Sequence, residues 1–299
     1  MATNVGTSMA TRMATSLVFS MQSPTNSIHF PKAADQRIIR FMRVLEMGLL
    51  MAWAAAGQSS APAEWRILPL VVDGKLDAAW KHVGWGGFVV DQGAARTQLD
   101  SRGMGLLVYT RAKFGDCQIR VVYRSEKPES NSGVYIRIDD GILSRIGGKT
   151  HGVQRGKSGE LSPEMVNRMK EASEKQLGAW YAVHHGFEVQ INDAGDSWHR
   201  TGAIYSLAEA ADLPAKPTAE WRTMIITLDG ERITVGVDGK NVSMFDATAS
   251  NLPQRRSWSE PIREIKRPTH GYIGLQNHDP GDVVWFKEVA VRSLRTNTQ

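Results

Sequence analysis

Residues 223–245, TMIITLDGERITVGVDGKNVSMF, contain three short runs of alternating apolar residues separated by two Asp-Gly pairs. A run in which every second residue is apolar is typical of a β-strand with one buried face. Asp-Gly supplies the positive φ angles that a two-residue hairpin turn requires. The stretch therefore predicts three antiparallel strands joined by turns at Asp229-Gly230 and Asp238-Gly239.

The same alternation recurs on both sides of this stretch, from about Trp65 to Leu294, with further turn signals at Asp73-Gly74 and Asp140-Gly141. Many short strands without a regular alternation of strands and helices are typical of an all-β sandwich or barrel. We therefore predict an all-β fold built from two antiparallel sheets. The candidate strands are 65–71, 86–90, 104–110, 117–124, 133–139, 186–192, 221–228, 231–238, 241–245, 271–277 and 283–294.

One long polar segment, residues 144–183, interrupts the succession of strands. Within it, Ser162-Pro163 is typical of a helix start and Leu177-Gly178 of a helix end. The apolar positions between them form only a weak stripe, so we predict one inserted surface helix. Segments of this length in a compact domain are usually functional lids or unstructured. We interpret 144–183 as an insertion that forms a partial lid, and a capping box at Ser206–Glu209 predicts a second, short helix.

Composition excludes several classes of protein. The chain has 299 residues, 41% of them hydrophobic, a mean hydropathy of −0.31 and a net charge of +5, which is ordinary for a soluble globular protein. The basic residues are scattered apart from a cluster within 255–267, which we interpret as a solvated loop. Nucleic acid binding is not expected, because it requires a sustained basic face with interleaved aromatics. The oligomeric state is left open.

No metal or cofactor is predicted. Cys117 is the only cysteine, so neither a disulfide framework nor a cysteine-based zinc site can be built. The chain has no H-E-x-x-H motif and no glycine-rich phosphate loop between a strand and a helix.

The N-terminal region has the features of a secretory signal peptide. Basic residues at 37–43 precede the apolar run MGLLMAWAAA (47–56), which ends in small residues. This order is typical of a cleaved signal, and the run is shorter than the ~20 residues that a membrane span needs. We predict a leader and signal peptide over 1–56, with the signal at about 42–56, and an exported (periplasmic or extracellular) domain over 57–299. A cytosolic chain with an apolar N-terminal strand is the alternative.

Three candidate strands place polar side chains on one face, because alternate residues of a strand point the same way. We expect these faces to line a sugar site, since sugar hydroxyls need hydrogen-bonding partners. There are two alternatives: a structural ion pair between Arg137 and Glu188, and an outer sheet whose polar face is turned to solvent. The candidates are Asn131, Tyr135 and Arg137 in NSGVYIR (131–137), Glu188 and Gln190 in GFEVQIN (186–192), and Gln276 and His278 in 271–278, with Trp198 and Tyr205 as stacking aromatics.

Taken in order, several segments resemble the 3-keto-disaccharide hydrolase family, whose members are secreted bacterial domains with a concanavalin A-like jelly roll. The resemblance spans about 65–295. It implies a two-sheet antiparallel jelly-roll sandwich and a 3-keto-glycoside or oligosaccharide substrate. The matching segments are DGKLDAAW, FGDCQIRVVYR, NSGVYIR, GFEVQI, TGAIY, EWRTMIITLDGERITVGVDGK and GYIGLQNH with VVWFKEVAVRSL.

The resemblance also implies a chemistry. A ketone at C3 acidifies the C2 proton, so a base can form an enolate that expels the C1 substituent by elimination, or hydrolysis takes place. On this reading Arg137 stabilises the enolate, and Glu188 or His278 moves the protons. A classical glucanase is less well supported, because its carboxylate-rich strand is here Glu188-Val-Gln190-Ile-Asn-Asp193. A non-catalytic carbohydrate-binding module of the same fold is the main alternative, and it predicts no perturbed pKa in a closed pocket.

We predict that the mature chain begins near Gly57. The physical basis is the order of basic stretch, apolar run and small residues that export machinery recognises. N-terminal sequencing of the protein isolated from its native host tests this. Recovery of residues 1–41 on a cytosolic protein would show that the signal peptide has been misidentified.

Overall fold

Alternating apolar residues build fifteen strands in the part of the chain that the computed structural model describes, namely residues 63–98, 103–148, 161–213, 216–217, 220–279 and 281–294. The predicted leader, 1–56, lies outside these residues. The strands are β1 (Arg66–Ile67), β2 (Val71–Val72), β3 (Lys75–Leu76), β4 (Trp80–Gly84), β5 (Phe88–Asp91), β6 (Ala94–Thr97), β7 (Gly105–Phe114), β8 (Cys117–Ser125), β9 (Ser132–Ile138), β10 (Phe187–Ile191), β11 (Arg222–Asp229), β12 (Arg232–Val237), β13 (Lys240–Asp246), β14 (Gly271–Asn277) and β15 (Val284–Ser293).

Two antiparallel sheets carry the fold. The larger has the order β13-β12-β11-β8-β15-β6-β5, with β1 also paired to β15, and the smaller has the order β10-β9-β14-β7-β4. The main core lies between them, since buried residues of both sheets, such as Val121 and Met224 of one and Val134 and Val189 of the other, form one cluster. The predicted two-sheet jelly-roll sandwich is confirmed.

The predicted triple-stranded segment is confirmed, because β11, β12 and β13 are joined by turns at Asp229-Gly230 and Asp238-Gly239. Two other local predictions are wrong. Asp140-Gly141 opens a 3₁₀ helix, Asp140–Arg145, because the Asp139 carboxylate accepts a hydrogen bond from the Gly141 amide at 2.9 Å. Residues 206–209 do not form a helix, because 205–207 form a tight turn between the bridged residues Ile204 and Ala208, with Ser206 at a φ of 57°.

Two α-helices accompany the 3₁₀ helix: α1 (Pro163–Glu174) and α2 (Trp180–His185). The predicted surface helix is confirmed as α1, which is capped by the Ser162 hydroxyl. The prediction of a single inserted helix is nevertheless wrong in number, because α2 and the 3₁₀ helix are also present. Across the described residues, none of the helices combines the length and apolar character required to cross a membrane.

The end of the predicted lid belongs to a second hydrophobic cluster. Tyr181, Ala182 and Val183 of α2 are buried with Ile142 of the 3₁₀ helix against the outer face of the smaller sheet. A peripheral insertion would not be buried in this way, so residues 179–183 are part of the domain's packing. Residues 149–160 of this segment lie outside the described part.

A bulge reverses the side-chain order at the end of β9. Tyr272 of β14 pairs with Ile138, but Gly274 pairs with Tyr135, so two residues of β14 span three of β9. Arg137 is the extra residue of the bulge, and its φ is 54°. An inserted residue shifts all later side chains to the other face. Ile138 therefore lies in the second cluster with Tyr135, although simple alternation would separate them.

The bulge overturns the prediction that Arg137 and Glu188 share one face. Arg137 is 1% exposed, and its Nη2 donates a hydrogen bond of 2.6 Å to the carbonyl of Gly230 in the β11–β12 turn. Its side chain therefore links the smaller sheet to a turn of the larger one. The alternative of an Arg137–Glu188 ion pair is excluded by the same contact.

His184 connects α1, α2 and the long segment between β13 and β14. Its ring is fully buried: Nε2 lies 3.0 Å from the Ser173 carbonyl, and Nδ1 accepts from the Ile262 amide at 3.2 Å. The Ser173 hydroxyl donates to the Trp258 carbonyl at 2.8 Å. Burial lowers the pKa of His184 to about 4. The ring is therefore neutral, as these two contacts require.

We expect His184 to make the fold less stable as the pH falls from about 6.5 towards 4. In this window the unfolded chain binds a proton that the folded ring rejects, which at pH 5 costs up to about 2 kcal/mol. The thermal midpoint of the wild type should therefore fall by several degrees between pH 7 and pH 5. The His184→Gln variant should fall less, and equal shifts in the two proteins would contradict the assignment.

Candidate active site

A cleft of about 350 Å³, its open mouth included, lies on the smaller sheet at the face opposite the main core. Seven of the nine predicted site residues line it, whereas Arg137 and Trp198 do not. The lining residues are Met104, Asn131, Tyr135, Trp180, Val183, Glu188, Gln190, Tyr205, Ser259, Gln276 and His278.

Strand register brings the polar side chains of the cleft together. Glu188 of β10 pairs with Tyr135 of β9, and Gln190 pairs with Gly133. A side chain at Gly133 would collide with the Glu188 carboxyl group, so glycine is needed at this point of β9. Gln276 reaches the cleft from β14, the next strand of the sheet.

A chain of hydrogen bonds holds the Glu188 carboxyl group. The Tyr135 hydroxyl donates to Glu188 Oε2 at 2.6 Å, and Gln276 Nε2 donates to the Tyr135 hydroxyl at 3.3 Å. Gln276 Nε2 also lies 3.2 Å from the Met104 sulfur. The network fixes the carboxyl group at the floor of the cleft.

Two amide oxygens of the cleft have unused acceptor capacity. Gln190 Nε2 donates to Asn131 Oδ1 at 3.0 Å, yet Gln190 Oε1 is buried without a hydrogen-bond partner. Gln276 Oε1 is in the same position. Buried polar atoms are almost always paired in native proteins. A ligand that brings hydroxyl donors would satisfy both oxygens.

Glu188 titrates near neutrality. Glu188 is 7% exposed. Burial raises the pKa of its carboxyl group to about 7, although the Tyr135 hydroxyl, the charge of His278 and a hydrogen bond from Gln276 oppose this rise. A carboxyl group with such a pKa is available both as an acid and as a base at physiological pH.

His278 is a cation at neutral pH and is therefore unsuited to be the base. Burial lowers its pKa, but hydrogen bonds from Nδ1 to the carboxylates of Asp279 and Asp282, each 3.2 Å, outweigh that effect and raise the pKa to about 10. The donor atoms of these three residues lie within 4.8 Å of one another, a spacing that a metal ion can use. The imidazolium already neutralises part of the carboxylate charge there.

Sequence patterns missed three cleft residues that come from outside the sheet: Met104, Val183, and Ser259 from the segment between β13 and β14. The interpretation of the basic cluster of this segment as solvated is wrong for Arg263 and Arg267, which are half-buried, whereas the other members of the cluster are exposed. Arg267 Nε donates to the Gly186 carbonyl at 2.7 Å, and Arg263 Nη2 donates to the Ser206 carbonyl at 2.9 Å. These arginines fix the segment on the domain, and no periodic pattern signals such contacts.

A larger cavity, of about 910 Å³ with its open mouth included, lies at the Asp193 end of the domain. Its buried cation, Arg222, binds the carboxylates of Asp193 and Asp238 at 3.1 and 3.0 Å. Because these charges neutralise one another, little charge remains to bind a ligand. The smaller cleft, with its perturbed carboxyl group and unpaired amide oxygens, is the better candidate.

The family assignment agrees with this geometry. Residues 53–292 match the model of the 3-keto-alpha-glucoside-1,2-lyase-like domain. The chain belongs to this family. The resemblance inferred from the sequence segments is thereby confirmed. The matched residues of this 3-keto-alpha-glucoside-1,2-lyase-like domain include all the described strands and omit only Ser293, the last residue of β15.

Solved structures similar to this family member include two Parabacteroides distasonis proteins that carry provisional glycosyl hydrolase names. One is 20% identical, with 77% of this chain and 100% of that chain covered and a TM-score of 0.48. The other is 17% identical, with 77% and 94% covered and a TM-score of 0.49. The carbohydrate-binding module CBM66 from Bacillus subtilis is 10% identical, with 78% and 97% covered and a TM-score of 0.39. No protein of curated function matches the chain in sequence.

The contacts of Tyr135 and Arg137 predict that substitution of the tyrosine, but not of the arginine, changes the titration of Glu188. Tyr135→Phe removes a hydrogen bond that lowers the pKa of Glu188, so this pKa should rise above about 7. Arg137→Lys should leave it unchanged and should instead lower the thermal midpoint, because the bond to Gly230 is weakened. Carboxyl ¹³C shifts of glutamate-labelled protein measure the pKa. A shift in Arg137→Lys as large as that in Tyr135→Phe would contradict this placement.

Proposed function

We propose that this protein is an exported enzyme that cleaves the glycosidic bond of 3-keto-glycosides by elimination, with Glu188 as the group that moves the proton. The observation that carries the proposal is a buried carboxyl group with a pKa of about 7, held by Tyr135 in an open cleft with unpaired acceptors. Membership of the 3-keto-alpha-glucoside-1,2-lyase-like family supports the same substrate class.

Elimination suits the cleft better than ordinary glycoside hydrolysis does. Retaining hydrolysis uses two carboxyl groups about 5–5.5 Å apart across the glycosidic bond. Among the cleft-lining residues that the structure describes, Glu188 is the one carboxylic acid. A 3-keto sugar needs only one base, because its carbonyl already acidifies the C2 proton.

The proposed reaction uses Glu188 twice. Ionised Glu188 removes the C2 proton, and the electron pair moves onto the C3 oxygen to form an enolate. The enolate then collapses, the bond between C1 and the glycosidic oxygen breaks, and protonated Glu188 supplies the proton for the leaving group. Water adds to the resulting double bond in a later step if the overall outcome is hydrolysis.

The enolate charge requires a nearby positive charge or hydrogen-bond donor. We assign this role to His278 instead of Arg137. His278 is cationic at neutral pH and close enough to Glu188 to influence its titration. Preorganised charge of this kind is often the largest contribution to catalysis. Tyr205 remains a protonated donor at the cleft, because burial, followed by the charge of Glu188, raises its pKa to about 12.

The remaining lining residues suit sugar binding. Asn131, Gln190 and Gln276 offer amides for hydroxyl groups, and Trp180 offers an aromatic face. Trp198, predicted as a further stacking residue, lies at a separate cavity. The substrate therefore contacts Trp180 and Tyr205 rather than Trp198.

The decisive experiment compares a p-nitrophenyl 3-keto-glucoside with its unoxidised parent. The wild type should release nitrophenol only from the 3-keto substrate. Glu188→Gln should reduce turnover by ~10²–10⁴-fold, the usual contribution of a general acid–base. The matched control is Glu129→Gln, which makes the same chemical change at an exposed position outside the cleft and should keep full activity.

Two further measurements complete this test. Turnover should increase as the pH passes through about 7, because only ionised Glu188 accepts the C2 proton. Solvent deuterium should appear at C2 of recovered substrate or hydrated product if an enolate forms. Wild-type protein that binds glycans but cleaves neither substrate would instead support a carbohydrate-binding module, and full activity of Glu188→Gln would refute the assigned base.

A further inference from the structure

Three side chains outside the cleft form a hydrogen-bonded series of carboxylate, imidazole and hydroxyl. Asp196 Oδ1 lies 2.8 Å from His199 Nδ1, and His199 Nε2 lies 3.0 Å from the Ser206 hydroxyl oxygen. All three belong to the connection between β10 and β11. The proposed function uses none of them.

The Asp196 carboxylate orients the histidine. It is ionised at neutral pH, because hydrogen bonds from His199 and from nearby backbone amides outweigh burial and lower its pKa. It therefore holds the proton of His199 on Nδ1, and Nε2 is left to accept from Ser206. In serine hydrolases the same order of groups activates the serine hydroxyl for nucleophilic attack.

Ser206 occupies a sharp turn. Its φ of 57° is rare for a residue other than glycine, and Ile204 and Ala208 form an antiparallel bridge around it. Residues held in such conformations cluster at functional sites. In α/β-hydrolases the nucleophilic serine also lies on a sharp turn, which there joins a strand to a helix.

Ser206 lines a shallow cavity of about 200 Å³, its open mouth included. The other lining residues are Trp198, His199, Pro253, Gln254, Arg256 and Glu260. The Arg256 guanidinium lies 5.7 Å from the centre of the Trp198 ring. Guanidinium and amide groups are suitable donors for the negative oxygen of a tetrahedral intermediate. The enclosed part of this cavity has room for only about one water-sized group, so the acyl group must be short and the rest of the ester must lie in the open mouth.

We propose that Ser206, His199 and Asp196 form a second catalytic site that hydrolyses short-chain acyl esters, acetyl esters above all. His199 and Tyr205 rings lie 4.9 Å apart, and Tyr205 lines the sugar cleft. The second cavity is therefore adjacent to the cleft but shares no lining residue with it. The proposal does not depend on cleavage of 3-keto-glycosides.

The reaction has two balanced halves. Ser206 Oγ attacks the ester carbonyl while its proton moves to His199 Nε2. The ester C–O bond then breaks, and the alcohol leaves with that proton. Water attacks the acyl-serine with His199 as base, the acyl–Oγ bond breaks, and acetate leaves as the serine hydroxyl re-forms.

The test uses p-nitrophenyl acetate and the full chain. Ser206→Gly removes the nucleophile and suits the backbone, because glycine tolerates a φ of 57°. The rate of acetate release should fall by at least ~100-fold in Ser206→Gly and in His199→Gln. Ser250→Gly, at an exposed position outside the cavity, is the matched control and should keep the wild-type rate.

Covalent labelling gives a second, independent readout. A fluorophosphonate probe should add to Ser206 of the wild type, as located by peptide mass spectrometry, and should not add to the His199→Gln variant. Thermal unfolding shows whether each variant is folded. An unchanged rate in folded Ser206→Gly, no adduct on the wild type, or an adduct at another residue would each overturn the proposal. Because this assay contains no keto sugar, its outcome is separate from the test of the cleft.

Discussion

The site depends on one buried interaction, the 2.6 Å hydrogen bond from the Tyr135 hydroxyl to the Glu188 carboxyl group. Burial alone would drive the pKa of Glu188 higher, and the tyrosine moderates that rise. The bond requires β9 and β10 to pair in one register, and it requires a glycine at position 133, where a side chain would displace the carboxyl group. Pairing of two strands thus sets the charge state of the proposed base.

Both faces of the smaller sheet pack against other parts of the domain, and this explains why the cleft is small. One face contributes to the main core, and the other is shared between the cleft and the second cluster under α2. His184, Arg263 and Arg267 bind backbone carbonyls or amides of neighbouring segments and hold the irregular chain against that face. Because the segment between β13 and β14 is ordered by these contacts, it contributes Ser259 to the cleft wall without a strand or helix.

The position of positive charge decides which residue can stabilise an enolate at the cleft. Arg137 has the fork of donors that suits an enolate, but its guanidinium binds the Gly230 carbonyl on the opposite side of the smaller sheet. His278, between two carboxylates, is the cation that remains at the cleft. This charge favours ionised Glu188, and in the proposed reaction it would also favour the enolate.

Local periodicity determined most of the fold and most of the cleft. Alternation and Asp-Gly turns predicted β11 to β13 and the all-β class, and strand parity brought Glu188, Gln190 and Gln276 to one wall, because both signals depend on backbone geometry within a few residues. Tertiary structure decided the rest. The bulge at Arg137 follows from pairing with β14, and the burial of α2 follows from packing on the outer face of the smaller sheet. The pKa of Glu188 depends on burial and on side chains distant in sequence. Such contacts join segments far apart in the chain, so no window of residues contains them.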